Sequence, residues 1–513
     1  MILDIVMILV ELSNPSIGQP ATDRQRWIAL YVLCVGMLMI VLDATVVNVA
    51  LPSIQGDLGF SQSTLAWVVN AYLIAFGGLL LLAGRLGDLL GRRRIFMIGL
   101  AVFTAASLLC GLAQSQGVLI GARFVQGIGG AMTSAVILGI IVTMFPEGRE
   151  RAKAIGVYSF VASAGGSIGL LAGGVITEAI NWHWIFIVNL PIALVTGLLA
   201  ARLVKRDEGI GLERGADLLG AVLLVAGLML GVYTIVESSD YGWGSSHTLG
   251  IGAASLALLT AFLVREARTA NPLIPLHVFR SRNMSGANLI QALFVAGMFG
   301  MFFLGAIYLQ RVLGYGALEV GLAFLPVTLI IGTLSLGFSE RLNTRFGARA
   351  TLLPGLALIA AGLTLFARVP VDADYVRDVL PVMVLLGTGA GLSFPSLMTL
   401  AMSGATESDS GLASGLVNTT LQVGGALGLS VLATLSTTRT DGLLDGGDSI
   451  ESALTSGYHL AFGIGAGLVI AAIGVAVTVL QRESVNPEGA LESVSEHAEP
   501  AVAAAEQPCS EAA

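Results

Sequence analysis

Two charged residues in apolar surroundings, Asp43 and Arg123, have the types and positions that predict chemistry. Asp43 lies in the apolar run 27–51, and Arg123 lies in the apolar run 118–145. A charged side chain at the centre of a bilayer costs about 2.5–3.5 kcal/mol on insertion scales, and the charges that proteins keep there commonly mark ion or proton pathways. We therefore interpret these two residues as candidates for proton coupling.

The helices that carry the two residues would hold them at similar depths. An α-helix rises about 1.5 Å per residue, which puts Asp43 about 12 Å from the end of its run at Leu51 and Arg123 about 9 Å from the same membrane surface. If the two helices face each other, Arg123 favours the ionised carboxylate and desolvation favours the protonated one, so that protonation depends on conformation. The alternative is a static buried ion pair that sets the register of the helices.

The composition is that of an integral membrane protein. Of the 513 residues, 55% are hydrophobic, only 12% are charged and 65 are glycine, a small residue that lets membrane helices approach closely. The net charge of −8 reflects acidic residues that cluster in the C-terminal tail, and nothing in the sequence suggests a nucleic-acid partner. The sequence has no phosphate-binding loop, catalytic cluster or metal-ligand cluster, so we expect no enzyme activity, no cofactor and no metal.

About fourteen apolar stretches are long enough to cross roughly 30 Å of hydrocarbon, which takes about 20 helical residues. Of the 26 Lys and Arg residues, about 21 lie on the side of the N-terminus, which predicts cytoplasmic termini and a multi-pass protein of the cell membrane. The predicted spans are 27–51, 64–84, 95–114, 118–145, 152–178, 184–204, 216–237, 248–265, 286–310, 318–339, 351–368, 378–403, 411–436 and 458–481.

An internal repeat divides the chain into two halves. The segment 84–93 is echoed by 340–349, with matching Arg, Leu, Gly and Arg positions. Duplicated parallel halves that enclose a midplane site are typical of secondary transporters. The predicted organisation is a disordered leader at 1–26, a six-helix bundle at 27–204, a linker with two extra transmembrane helices at 205–285, a second six-helix bundle at 286–481 and a disordered acidic cytoplasmic tail at 482–513.

Four motifs carry a resemblance to a known family. The loop Gly84-Arg85-Leu86-Gly87-Asp88-Leu89-Leu90-Gly91-Arg92-Arg93 lies between the second and third spans, and the others lie at 42–52, 119–131 and 182–191. These motifs resemble those of the major facilitator superfamily, and within it the fourteen-helix drug:proton antiporters of the QacA and EmrB type. The resemblance covers about residues 27–481.

The resemblance implies an all-α integral membrane fold of two pseudo-symmetric six-helix bundles plus two inserted helices. It also implies a proton-coupling role for Asp43 and Arg123. In the family the aspartate of the signature loop faces the positive N-terminus of a helix in the other half, which would bring Asp88 close to residues 410–411. The acidic loop at 407–409 could then pair with the arginines. The expected latch residues are Gly84, Asp88, Gly91, Arg92 and Arg93.

The fifth span departs from the exporter motif of the family. Leu170 stands where that motif has proline, so the sequence does not impose the proline kink, and the direction of antiport is less firmly implied than the fold. Glycines still permit close helix packing there and in the fourth span. The glycines predicted to pack helices together are Gly127, Gly169, Gly173 and Gly174.

Polar side chains within the spans are candidates for the lining of a central substrate cavity. Each of the amides could instead form a hydrogen bond between helices, while Glu319 is a candidate second acidic site for a cationic substrate. The predicted cavity residues are Asn48, Asn70, Gln126, Asn189, Gln291, Glu319, Asn418 and Gln422.

The sequence favours a proton-driven exporter of amphiphilic drugs or antibiotics that works by alternating access. Its expected partners are the small-molecule substrate, protons and the lipid bilayer, and we expect a monomer. One alternative is export of an endogenous metabolite, siderophore or lipid by the same machinery. Another is a membrane scaffold or receptor that uses the same fold without transporting anything.

Overall fold

The computed structural model describes residues 23–145, 148–207, 209, 211, 217–269, 272–274, 279, 281–402 and 410–481. Within these ranges all regular secondary structure is helical. The predicted tail at 482–513 and most of the predicted leader lie outside the described residues. The first helix of the described residues begins at Asp23, four residues before the predicted start of the first span.

The described part of the N-terminal half contains six long helices and two single-turn helices. They are α1 (Asp23–Leu58), α2 (Gln62–Leu65), α3 (Trp67–Leu90), α4 (Arg92–Gly111), α5 (Gln116–Met144), α6 (Gly148–Ala179), α7 (Trp184–Ile187) and α8 (Asn189–Leu203). The inserted pair is α9 (Leu218–Tyr241) and α10 (Ser246–Arg268).

The C-terminal half repeats this pattern, with two π-helical segments at Leu334–Phe338 and Tyr375–Val379. Its α-helices are α11 (Arg282–Arg311), α12 (Ala317–Thr333), α13 (Ser339–Phe346), α14 (Ala348–Phe366), α15 (Leu380–Met402), α16 (Ser410–Asp445) and α17 (Ile450–Thr478).

The repeat seen in the sequence recurs as a turn with unusual backbone geometry. Gly91 separates α3 from α4 with φ of 96°, and Gly347 separates α13 from α14 with φ of 86°. Residues with a side chain rarely adopt such angles, which explains why glycine occupies both positions. We call the side of the bundle that holds these two turns the Gly91 end, and the opposite side the Gln55 end.

Twelve helices of the described residues are long and apolar enough to cross a membrane. The other two predicted spans, at 152–178 and 318–339, fall on α6 and α12. The apolar pieces described there are shorter, at Ile168–Ala179 and Ala317–Thr333. The helical membrane fold is therefore confirmed, with twelve candidate spans among the described residues where the sequence predicted fourteen.

Helices pack extensively within each half, the buried core runs through both halves, and the largest contacts between the halves are those of α3 with α16 and of α6 with α12. In the first half α1 packs on α6 and α8, and α5 packs on α3 and α4. In the second half α11 packs on α16 and α17, and α14 packs on α15 and α17. The halves meet where α3 crosses α16 and where α6 crosses α12, while α9 packs against both α3 and α16.

The predicted packing glycines lie at close helix crossings. A Cβ atom at Gly127 would lie 2.5 Å from the Tyr72 carbonyl oxygen, and one at Gly173 would lie 2.8 Å from the Val46 carbonyl oxygen. Gly169 faces Thr45 of α1 too closely for any side chain, and a Cβ at Gly174 would lie 2.8 Å from the carbonyl oxygen of Ala317 in the other half. Larger residues at these positions would push the helices apart.

Candidate functional site

Asp43 and Arg123 form a buried ion pair. Arg123 Nη1 lies 2.6 Å from Asp43 Oδ2, and each residue is only 1% exposed. The helices α1 and α5 therefore face each other at the two charges, as their similar spacing from the helix ends had predicted. An ion pair shielded from water in this way needs further hydrogen bonds to offset the cost of desolvation.

Two amide side chains supply those further bonds to the carboxylate. Gln126 Nε2 donates to Asp43 Oδ1 at 2.7 Å, and Asn189 Nδ2 donates to the same oxygen at 2.9 Å. Gln126 also donates to Ser107 Oγ at 2.8 Å. Both amides were predicted to line a substrate cavity, whereas the structure places them around Asp43 because α5 and α8 turn these faces toward α1.

The guanidinium of Arg123 is held from several sides. Its Nε donates to the Val68 carbonyl oxygen at 2.9 Å, and Nη1 also donates to Gln126 Oε1 at 2.6 Å. The charged group stacks over the Tyr72 ring at 4.3 Å from its centroid, which adds a cation–π attraction. Arg123 thus has a fixed position relative to the carboxylate.

The whole cluster belongs to the N-terminal half. It draws on α1, α3, α4, α5 and α8, and none of its bonds given above crosses to the other half. An ionised carboxylate with three donors is well satisfied, and protonation would remove the charge that these donors serve. The arrangement can therefore respond to a proton by loosening contacts among several helices of one bundle.

Two of the remaining predicted cavity residues form hydrogen bonds between helices. Asn70 Nδ2 donates 2.8 Å to Ser430 Oγ, a buried bond that joins α3 to α16 across the halves. Gln291 Nε2 donates 3.2 Å to the Val417 carbonyl oxygen within the C-terminal half. These are the interhelical bonds that the sequence left open as the alternative to substrate contact.

Three others differ in their surroundings. Asn48 donates to carbonyl oxygens of its own helix at 3.4 Å. Asn418 is exposed on α16, and Gln422 lies one turn further along. Gln422 packs against Gly77 of α3, and its buried Oε1 has no hydrogen-bond partner among the described residues.

Glu319 caps a helix. Its Oε2 accepts a hydrogen bond of 2.8 Å from the backbone N–H of Gly316, at the exposed start of α12. A carboxylate at this position satisfies an N–H group that the helix leaves unpaired and complements the positive end of the helix dipole. Its predicted contact with a cationic substrate stays a prediction.

The signature loop is organised around Arg92. Its guanidinium forms an ion pair with Asp88 one turn earlier, at 2.9 Å, and donates 3.0 Å to the Gly139 carbonyl oxygen and 3.1 Å to Thr143 Oγ1. Both side chains of the ion pair remain partly exposed. A Cβ atom at Gly84 would lie 4.0 Å from the Ala135 Cβ, an ordinary van der Waals contact.

The expected latch partners of this loop fall partly outside the described residues. Glu407 and Asp409 lie outside them, so their pairing with residues 92–94 stays a prediction. The sequence analysis expected Asp88 to meet the start of α16 in the other half. The hydrogen bonds and the ion pair described for Asp88 are instead formed with Arg92 of its own half.

Asp207 binds to this loop from the linker after α8, and the sequence analysis did not predict it. Its Oδ2 accepts 2.6 Å from the Arg92 backbone N–H, and its Oδ1 accepts 3.1 Å from that of Arg93. The Arg93 guanidinium donates to the Ala201 carbonyl oxygen nearby. Asp207 thereby caps α4 from the linker that leads to the inserted pair. The available signal was an Asp-Glu pair directly after Lys205 and Arg206.

Ser107 was also missed, for a different reason. It is a small hydroxyl residue in an apolar helix, and its hydroxyl accepts from Gln126 and, at 3.5 Å, from Asn189. Serines are common in membrane helices, so the sequence offered no signal for this one.

Helices of membrane length in two bundles, with a buried ion pair inside one of them, are the architecture of a multi-pass membrane protein. The chain belongs to the Major Facilitator Superfamily, whose sequence profile matches residues 33–429. It is thus a transporter of the cell membrane rather than an enzyme.

Named relatives within this superfamily are antibiotic resistance and export proteins. The puromycin resistance protein pur8 of Streptomyces alboniger is 39% identical over 91% of this chain and 94% of its own length. The cephamycin export protein CmcT of Amycolatopsis lactamdurans is 39% identical over 90% of this chain and 94% of its own.

The fold also matches solved structures. That of a bacterial homologue of the human lysosomal transporter Spinster superposes with a TM-score of 0.66, covering 90% of this chain and 99% of the other at 18% identity. This likeness establishes the shared fold.

Proposed function

We propose that this chain exports amphiphilic antibiotics or related drugs in exchange for protons. The observation that carries the proposal is the buried Asp43–Arg123 pair, which can bind a proton only by changing its contacts. The names of the relatives, a puromycin resistance protein and a cephamycin export protein, support drug export as the direction and purpose.

Coupling works in this proposal through the N-terminal half. Proton binding at Asp43 neutralises the carboxylate and weakens its bonds to Arg123, Gln126 and Asn189. The helices that carry these residues, α1, α5 and α8, then repack, and the N-terminal half rocks against the other. Occupation by proton and by substrate are mutually unfavourable, which is a coupling free energy between two sites.

The substrate cavity in this proposal lies between the halves. Asn418 and Gln422 support it best, because both lie on α16 where it approaches α3, one exposed and the other with an unpartnered oxygen. Asn48, Asn70 and Gln291 would border the same cavity, and their bonds to helices would hold its walls.

We further infer fourteen spans, as in the QacA and EmrB branch, with both termini in the cytoplasm. The helix α6 has 32 residues, and α12 continues through the π-helical segment into α13, so residues 317–346 form one helical stretch. About 20 residues suffice to cross a bilayer. The basic residues concentrated at the Gly91 end support a cytoplasmic location for that end, and a single chain with both halves can work as a monomer.

Transport of puromycin by everted membrane vesicles tests the proposal. Asp43→Asn keeps the shape of the side chain and removes the proton site, so we expect proton-driven uptake to fall to background while folded protein remains in the membrane. The matched control is Asp217→Asn, since Asp217 is also buried, caps the start of α9 and forms an ion pair with Arg265 of α10 at 2.7 Å.

The control should keep its uptake. Uptake that survives Asp43→Asn and resists an uncoupler would refute proton coupling at this residue.

A further inference from the structure

The start of α12 is capped by two carboxylates that come from different halves. Glu319, on α12 itself, accepts from the Gly316 N–H. Glu178, near the end of α6 in the N-terminal half, accepts a hydrogen bond of 3.0 Å from the Leu318 N–H through its Oε2. The first N–H groups of a helix lack partners within the helix, and they carry its positive partial charge.

Close helix packing brings Glu178 to this position. A Cβ atom at Gly174 would lie 2.8 Å from Leu318 Cα, and one at Gly321 would lie 2.7 Å from the Leu170 carbonyl oxygen. The helices α6 and α12 therefore touch backbone to backbone. Glu178 follows Gly174 by four residues, one helical turn, which places both on the face that meets α12.

Other contacts between the halves lie at the same end of the molecule. Gln310 Nε2 donates 2.9 Å to the Val49 carbonyl oxygen, and Arg311 Nη2 donates 2.9 Å to Gln55 Oε1. These bonds join α11 to α1. The contact between Glu178 and α12 thus belongs to a set that holds the two halves together at the Gln55 end.

We propose that Glu178 is a latch that keeps the Gln55 end closed. It binds the N-terminus of α12 while the halves are in contact there, and it must release that N-terminus whenever they separate. The inference rests on the proposed alternating access. At the Gln55 end, Glu178 thus binds the N-terminus of a helix in the other half. The sequence suggested the same role for Asp88 at the Gly91 end.

Glu319 distinguishes a latch from an ordinary cap. Both carboxylates are exposed and both bind the first turn of α12, so their loss costs the helix a similar cap. Opening of the Gln55 end would break the bond of Glu178 and leave that of Glu319 intact. Only Glu178 should therefore bias the equilibrium between closed and open forms.

The test measures the separation of the halves in the purified full chain. Spin labels are attached to cysteines at positions 56 and 442, two exposed glycines that have no other atom within 4 Å of an added Cβ. The three native cysteines are replaced by alanine. Pulsed dipolar spectroscopy then gives the populations of short and long distances between the labels.

We expect Glu178→Gln to raise the ratio of open to closed molecules about fivefold, equivalent to ~1 kcal/mol at 1.4 kcal/mol per tenfold. Glu319→Gln should change it less than about twofold. Leu318→Pro removes the N–H that Glu178 binds at a position in the first turn where proline is tolerated, so it should reproduce the shift. The double variant should add little to Leu318→Pro alone, because both changes act on the same bond: the glutamine loses the charge of its acceptor and the proline removes its donor.

The proposal is wrong if Glu178→Gln leaves the ratio of open to closed molecules unchanged. It is also wrong if Glu319→Gln raises that ratio as much as Glu178→Gln does. Should Glu178→Gln fail to fold, Leu318→Pro decides in the same way. The distances are read without transport, so a negative result here would leave the Asp43 test unaffected, and loss of proton coupling would leave this latch standing.

Discussion

At the scale of the residue, the geometry of Arg123 matters as much as its charge. Its Nε and Nη1 bond to Val68, Asp43 and Gln126, while its plane lies on the Tyr72 ring. A lysine would carry the same charge but offers no planar fork, so it could not make this set of bonds from one position. The buried carboxylate would lose part of its support.

We predict that Arg123→Lys reduces proton-driven puromycin uptake about tenfold or more, since a lost hydrogen bond to a charged group costs about 1.5–3 kcal/mol. The measurement is initial uptake by everted vesicles at equal protein level. The matched control is Arg265→Lys, because Arg265 contacts Asp217 through Nε alone and is partly exposed. Equal losses in both variants would show that the charge alone matters.

At the scale of the element, Asp207 connects three parts of the fold. Its carboxylate caps α4 at Arg92 and Arg93, directly after the Gly91 turn. The same linker passes the end of α3, where the Gly211 N–H donates 3.2 Å to the Leu89 carbonyl oxygen. The signature loop is thus braced by the segment that leads to the inserted pair.

We predict that Asp207→Ala lowers the free energy of unfolding of this loop by about 1 kcal/mol, the usual cost of losing a cap. Trypsin should then cut within residues 92–94 about fivefold faster, because cleavage follows local opening. Asp374→Ala is the control, since Asp374 caps the Arg377 N–H at the Gln55 end. If Asp374→Ala accelerates the same cut equally, the brace is not specific.

At the scale of the whole molecule, the two halves are joined by different contacts along their length. Asn70 bonds to Ser430 where α3 crosses α16, and the Thr419 hydroxyl donates 3.0 Å to the Gly77 carbonyl oxygen in the same crossing. At the Gln55 end the contacts are those of Glu178, Gln310 and Arg311. The inserted helix α9 lies beside the α3–α16 crossing and touches both halves.

The proposed orientation predicts which exposed positions face the outside. A cysteine at Ser246, the first residue of α10, should react with an impermeant maleimide in intact cells. A cysteine at Thr344, at the Gly91 end, should react only after permeabilisation. Both residues are exposed, and both variants are made in the cysteine-free background. The reverse labelling pattern would contradict cytoplasmic termini and the proposed placement of the inserted pair.

The sequence by itself determined the depth of the charges, the duplicated halves and the membrane location. Helical rise is regular, so spacing along the chain places Asp43 and Arg123 at one level. Long apolar stretches indicate a lipid environment, and frequent glycines indicate close helix packing. Both can be read from the order of residues along the chain.

Only the tertiary structure decided which faces of the helices meet. It turned Gln126 and Asn189 toward Asp43, brought Asp207 to the start of α4 and placed Glu178 on α12. The physical reason is that such contacts depend on the rotation of each helix about its axis and on which neighbours it packs against. A few small polar residues on an apolar helix do not determine its rotation, which is fixed only when all the helices pack together.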